Sequence, residues 1–258
     1  MREHELYATP RTVTDLAECD FYHSMQIPGY GPVEGLFDLR KNISRYFGGV
    51  DFKGKRVLEI GSASGFCSFY LESQGAEVVG YDLSEKEAWD VVPFSRTDHR
   101  EAIARRQAGM RRVNNGFWLA HKAYGSNVRI VYGSSYDVPE QIGPVDACVF
   151  ASVLLHVRDP FLALQRALRL TRELVVVTEP IATWYLPSFA LSLFTRPKMG
   201  FMPNFRKGEP MDTWWFMPPR LVKRLIGVLG FESAKTHYHT QRYRGRRLCY
   251  YTVVGRRS

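Results

Sequence analysis

Five consecutive residues, Gly61-Ser62-Ala63-Ser64-Gly65, carry almost no side chain, and a carboxylate, Asp82, closes the next apolar stretch. A turn this bare lets a ligand touch backbone N–H groups and the positive end of a helix dipole. An acid at the end of the following strand can accept hydrogen bonds from both hydroxyls of a ribose. Together they predict an adenosine site around Gly61, Ser62, Ala63, Gly65, Asp82 and Leu83, with Glu59 just before the turn as a further candidate. The competing reading is a small-residue turn that only joins two buried strands. A dinucleotide fold wants G-x-G-x-x-G, so that backbone can approach a pyrophosphate. Here Ala63 and Phe66 fill the second and third glycine positions, and glycine returns at Gly65. A pyrophosphate fits that spacing poorly.

Further candidates stand at the ends of other apolar runs. Ala151 and Ser152 follow Asp146–Phe150, and small residues at the carboxyl end of a central strand leave room for a ligand. His156 comes just after them and is the best general base, with a capping or orienting role as the competing reading. Ser134 and Ser135 follow Gly133 at the end of Val128–Tyr132, another strand end that such a sheet turns toward its ligand crevice. Tyr22, His23, Trp184, Tyr185 and Trp215 are the candidate acceptor contacts, drawn from aromatic segments near either end of the chain. No acids or histidines recur at metal-ligand spacing, so no metal is expected.

The elements that must position these groups alternate. Val57–Ile60 reads as a buried strand, Phe66, Phe69 and Tyr70 as one face of a helix, and Glu77–Tyr81 as a second strand. A long connection, residues 85–107, leads to a helix expected over 108–124 that stops at Gly125. Two further strands, Val128–Tyr132 and Asp146–Phe150, precede a helix capped by Asp159 with Pro160 at its first position. Leu174–Thr178 is a fifth strand, and residues 181–212 are aromatic and broken by Pro187, Pro197, Pro203 and Pro210. A helix ending at Gly230 then leads to a basic hairpin, residues 232–243 and 248–256, across Arg244-Gly245-Arg246-Arg247. Before all of this, a short helix is expected near Val13–Phe21, an extended loop over 21–32, and an amphipathic helix over Leu39–Phe47.

The order Glu59-x-Gly61-x-Ala63-x-Gly65 resembles motif I of the class I S-adenosyl-L-methionine (SAM) methyltransferases. The resemblance implies a Rossmann-like, seven-stranded α/β sheet, SAM as cofactor, and a turn that cradles an amino-acid carboxylate and a sulfonium. It also implies an N-terminal helical and aromatic cap over residues 1–50, a methyltransferase domain over 51–258, and an insertion after strand five, near 181–212. That insertion is either a substrate lid or a homodimer contact. Many relatives place an acid where this chain has Ser134, so a weaker adenine contact is expected. Tyr22-His23-Ser24, Ile27-Pro28 and Phe37-Asp38-Leu39-Arg40 are similar to a bacterial subfamily related to the tRNA wobble-uridine carboxymethyl transferases, with departures at Met25, Gln26 and Ile27. Those enzymes use a carboxylated SAM and, as the resemblance implies, place a tyrosine just before the strand-four histidine. Leu155 stands there in this chain, and leucine donates no hydrogen bond. Ordinary SAM and transfer of a methyl group are therefore expected.

Composition bounds the rest. A chain of 258 residues suits one large α/β domain with additions, or at most two small domains. Cys19, Cys67, Cys148 and Cys249 form no C-x-x-C pair, which with the absence of an apolar leader suggests reduced thiols in a cytoplasmic protein. No apolar run reaches the roughly 20 residues that span a bilayer, so no membrane partner is expected. The net charge of +9 favours an anionic partner without naming one. The leading expectation is an enzyme that methylates an oxygen or nitrogen of a small or medium-sized metabolite, such as a sugar or natural-product intermediate. A nucleic-acid partner is the runner-up, carried by Arg105-Arg106, Arg111-Arg112 and the hairpin. A non-enzymatic SAM-binding protein is the third reading.

Overall fold

The computed structural model describes residues 6–87, 89–181 and 196–257; Trp184 and Tyr185 lie outside them. The chain opens with a 3-10 turn, Leu16–Glu18, a small hairpin of β1 (Met25–Ile27) and β2 (Gly31–Val33), then β3 (Phe37–Asp38) and a one-turn helix, α1 (Ile43–Tyr46). Next come β4 (Arg56–Ile60), α2 (Phe66–Ser73), β5 (Glu77–Asp82), α3 (His99–Tyr124), β6 (Arg129–Tyr132), β7 (Val145–Ala151), α4 (Pro160–Leu168) and β8 (Thr171–Pro180). The two-residue strands β9 (Gly200–Phe201) and β10 (Trp215–Phe216) pair with each other. α5 (Pro219–Val228) and the long pair β11 (Ser233–Tyr243) and β12 (Arg246–Arg256) complete the described chain.

One sheet of eight strands, in the order β3-β11-β12-β8-β7-β4-β5-β6, organises the molecule. β6, β5, β4, β7 and β8 run parallel, and β12, β11 and β3 are antiparallel additions. Parallel strands must be covered on both faces, which is why β7 and β8 carry continuous apolar runs, Ala147–Ala151 and Leu174–Val177. Phe47, Phe69, Phe117 and Trp118 form the core on one face, and Phe150, Leu164, Ile226 and Phe231 the core on the other. Strand order reverses beside β4, where β5 lies on one side and β7 on the other. The carboxyl ends of these strands therefore open a crevice, the place where such sheets bind ligands.

Several elements differ from expectation, each for a local reason. The sheet has eight strands, because Phe37–Asp38 adds to the free edge of β11. α3 begins at His99 instead of Ala108. Asp98 caps it by accepting the Arg100 and Glu101 N–H groups, and its first turns bury only Ala102, so apolar periodicity cannot reveal them. The helix expected near Val13–Phe21 reduces to the Leu16–Glu18 turn, and the loop over 21–32 is in part the β1–β2 hairpin. β12 starts at Arg246, since Arg244 (φ 47°) and Gly245 (φ 74°) make a two-residue turn of the kind that suits the strand twist. Among the described residues, no helix is long and apolar enough to cross a membrane.

Candidate cofactor and acceptor site

The turn after β4 and the end of β5 are joined by hydrogen bonds. Asp82 accepts the Ala63 N–H at 2.5 Å on one carboxylate oxygen and the Leu83 N–H at 2.7 Å on the other. Burial pushes its pKa up to about 6, against the pull of the two amides. Gly61 (φ 86°) has no room for a side chain, because a Cβ would lie 2.5 Å from a methyl of Val153. Ala63 shares the left-handed region at φ 47°. The result is a turn of exposed backbone beside a half-buried carboxylate, which fits the amino-acid and ribose portions of SAM. Gly65 serves packing: a Cβ there would meet Phe69 at 2.5 Å and Phe117 at 2.8 Å. Glu59 and Ser62, expected among the cofactor contacts, are buried behind the turn instead of lining the crevice. Burial raises the Glu59 pKa to about 8, partly offset by the Ser68 hydroxyl that donates to it.

The crevice is a partly open cleft lined mainly by apolar and aromatic side chains, as ligand sites commonly are. Gly61, Ala63, Asp82, Leu83, Ser134, Ser135, Ala151, Ser152 and His156 all line it, as do Tyr22 and His23. Tyr22 reaches it because its N–H donates to the Ser64 hydroxyl at 3.0 Å and its ring stacks on Phe37. His23 is packed near Phe66, and burial pushes its pKa down to about 4, so it stays neutral at pH 7. Trp89, Asp90, Met110, Val113 and Tyr136 also line the crevice and were not foreseen. The aromatic at position 89 in an unusually long connection was the available signal.

His156 stands at the end of a 3-10 turn, Leu154–His156. Its Nδ1–H donates to the backbone carbonyl of Asp212, which leaves the lone pair on Nε2. Burial lowers its pKa, partly opposed by Asp212, so the ring is neutral at pH 7. The ring centroid lies 5.3 Å from that of Trp89, and Arg106 sits over Trp89 at 5.0 Å. Arg106 pairs with the Asp212 carboxylate at 3.1 Å, and Trp89 Nε1–H points to the Met110 sulfur at 3.2 Å. On the opposite side Ser152 adopts φ 58°, held by its hydroxyl contact to Tyr46 at 2.9 Å and its N–H to the Thr178 carbonyl at 2.7 Å.

Trp215 does not reach this crevice. It borders a second cavity with Leu155, Glu179, Met202 and Met217, and its indole N–H donates to the Arg158 carbonyl at 2.9 Å. Leu155 borders that cavity too. Neighbouring Trp214 is the one tied to the crevice, through its indole N–H to the Asp90 carbonyl at 2.6 Å.

A family model described as a methyltransferase domain matches residues 35–252. The chain belongs to this methyltransferase-domain family. No curated protein matches it in sequence. Among solved structures, the methyltransferase is similar to the N-terminal domain of EvdMO1, crystallised with SAH and D-fucose, at 19% identity, covering 94% of this chain and 93% of that one with a TM-score of 0.52. It is also similar to magnesium protoporphyrin IX methyltransferase (ChlM) from Synechocystis PCC 6803 with bound SAH, at 13% identity, 85% and 82% coverage and a TM-score of 0.52. A SAM-dependent methyltransferase from Methanosarcina mazei aligns at 16% identity, 84% and 97% coverage and a TM-score of 0.51. At these identities the likeness is one of fold: the class I methyltransferase sheet, with its antiparallel β11–β12 pair. SAM is the cofactor of this methyltransferase, and the turn, Asp82 and the crevice fit it.

Proposed function

We propose that this methyltransferase moves a methyl group from SAM, by in-line displacement, to an oxygen or nitrogen of a small or medium-sized metabolite. A sugar or natural-product intermediate is the favoured acceptor class. The observation that carries the reading is a neutral, oriented His156 on the same crevice as Asp82. When bound, SAM supplies a methyl group already activated by its positive sulfur. The protein's own work is then positioning, dryness and removal of a proton. Asp82 holds the ribose hydroxyls, the Gly61–Ala63 backbone receives the amino-acid end, and Ser134 and Ser135 face the adenine. Nε2 of His156 takes the proton from the acceptor hydroxyl or amine. Trp89 and Tyr22 keep water from the reacting pair.

The walls carry two carboxylates, Asp82 and Asp90, and the described lining residues include no lysine or arginine. That field favours a neutral or amine-bearing acceptor over an RNA phosphate, and SAM over a carboxylated analogue. The test is incubation with methyl-labelled SAM and cell extract, with and without ribonuclease. Label in a small-molecule fraction that ribonuclease leaves unchanged supports the proposal. Label confined to RNA, or carboxy-SAM displacing SAM at equal or lower concentration, moves the wobble-uridine reading to the front.

A further inference from the structure

The 3-10 turn that delivers His156 has no cap of its own. Its first N–H groups need acceptors, and the residue before it is Val153, whose side chain can accept nothing. The acceptor comes from another strand. Glu179, near the end of β8 and only 2% exposed, takes the Leu154 N–H at 2.8 Å from 25 residues away in sequence. The neighbouring amides of Val153 and Leu155 also pull the pKa of this carboxyl group down, against its burial. One residue earlier, the Thr178 carbonyl takes the Ser152 N–H at 2.7 Å. The end of β8 thus grips residues 152–155 from below, and the next residue is His156.

A buried carboxyl group is costly unless its hydrogen bonds are made, so its presence calls for a role that an apolar side chain could not fill. Glu179 is separated from the crevice by the turn it holds and borders the second cavity, so it does not face the reacting groups. We propose that Glu179 is a positioning residue: it caps the Val153–Leu155 turn across the sheet and so keeps His156 in one tautomer, Nδ1–H to Asp212 and Nε2 bare. This rests on the reading of His156 as general base. Asp212 fixes the ring from the roof and Glu179 fixes the backbone from the floor. With either missing, the ring can turn.

Two measurements on the full chain separate the cap from its consequence, and neither needs the acceptor. Amide hydrogen exchange reads the cap: Glu179→Gln, which offers the turn one carbonyl oxygen and an unwelcome NH₂, should speed exchange at Leu154 about tenfold or more. Imidazole ¹⁵N spectra read the consequence. The chain has 7 histidines, and His156→Gln assigns the signal of interest. In the wild type His156 should show one protonated and one bare nitrogen, and in Glu179→Gln the two shifts should move toward each other as tautomers mix. Should Glu179→Gln fail to fold, Glu179→Asp keeps the carboxyl group but withdraws it by one methylene, and the same two changes are expected. Unchanged Leu154 exchange in a folded variant overturns the cap. Faster Leu154 exchange with unchanged His156 shifts overturns the positioning role. Mixed tautomers already in the wild type would instead remove the base assignment for His156, and with it this proposal, while leaving the cap intact.

Discussion

His156 donates its Nδ1–H to the carbonyl of Asp212, which stands 56 positions later in the chain. The Asp212 carboxylate holds Arg106 of α3, Arg106 lies over Trp89, and Trp89 packs against His156. Four separate segments thus close a ring of contacts around one imidazole. A carbonyl partner can only accept, so the tautomer is set by structure and Nε2 is left free to take a proton.

Replacing His156 by glutamine should therefore lower the maximal rate by roughly two to four decades with the acceptor that the labelling experiment identifies. SAM affinity should change little, because Asp82 and the turn remain. Rapid-quench kinetics beside calorimetry checks both parts. A rate loss under about threefold would leave His156 an orienting role only.

Asp82 should control SAM binding through its charge. Hydrogen bonds to an ionised group contribute about 1.5–3 kcal/mol each, so Asp82→Ala should weaken binding at least about tenfold. The ionised form binds the ribose best, and its pKa is raised to about 6. Affinity should accordingly be flat above pH 7 and fall as the pH drops through 6, by roughly tenfold at pH 5. Calorimetry across that range decides, and a flat profile in the wild type would sink the assignment.

Trp89 packs against His156 and lines the crevice, so Trp89→Ala should cost acceptor turnover. Aromatic contacts of this kind are worth about 0.5–1.5 kcal/mol beyond area, which corresponds to a loss of roughly twofold to tenfold. Cofactor affinity should be nearly retained. An equal fall in both would make Trp89 a general wall of the cofactor site.

Stability should respond to pH with opposing slopes. Burial holds the His239 pKa down at about 4, where its ring hydrogen-bonds the Thr252 hydroxyl and the Gln241 amide. The unfolded chain then binds the proton that the fold refuses, so this contribution is present above about pH 6.5 and is lost as the pH falls toward 4. Glu59 behaves oppositely. With its pKa raised to about 8, its contribution is full below about pH 4.5 and is lost as the pH rises through 8. Melting curves should show the acid limb flatten in His239→Gln. In Glu59→Gln the deficit relative to wild type should shrink from pH 5 to pH 9. The reverse trends would refute the two protonation states.

The turn, Asp82 and the central strands were legible in the sequence because each is a local matter. Bare residues such as Gly61 permit left-handed backbone, and an apolar run with no polar alternation declares a strand buried on both faces. The candidates Ser134, Ser135, Ala151, Ser152 and His156 follow from the same logic, since strand ends in such a sheet face one crevice. Glu59, Ser62 and Trp215 do not line that crevice. Strand alternation and turn spacing do not say whether a side chain points into the crevice or behind it.

What the sequence by itself determined is the βαβ unit on which the candidate cofactor site stands: a turn, a strand and an acid, fixed by backbone geometry over a short span. Only the tertiary structure decided the rest. Trp89, Met110, Asp212 and Glu179 gather about the turn that carries His156 from separate elements, and apart from the aromatic at 89 nothing in their own neighbourhoods marks them. Their partnership depends on where the long connection, α3, the segment before β10 and the end of β8 pack, and packing is set by the whole core, beyond what any single window of residues records.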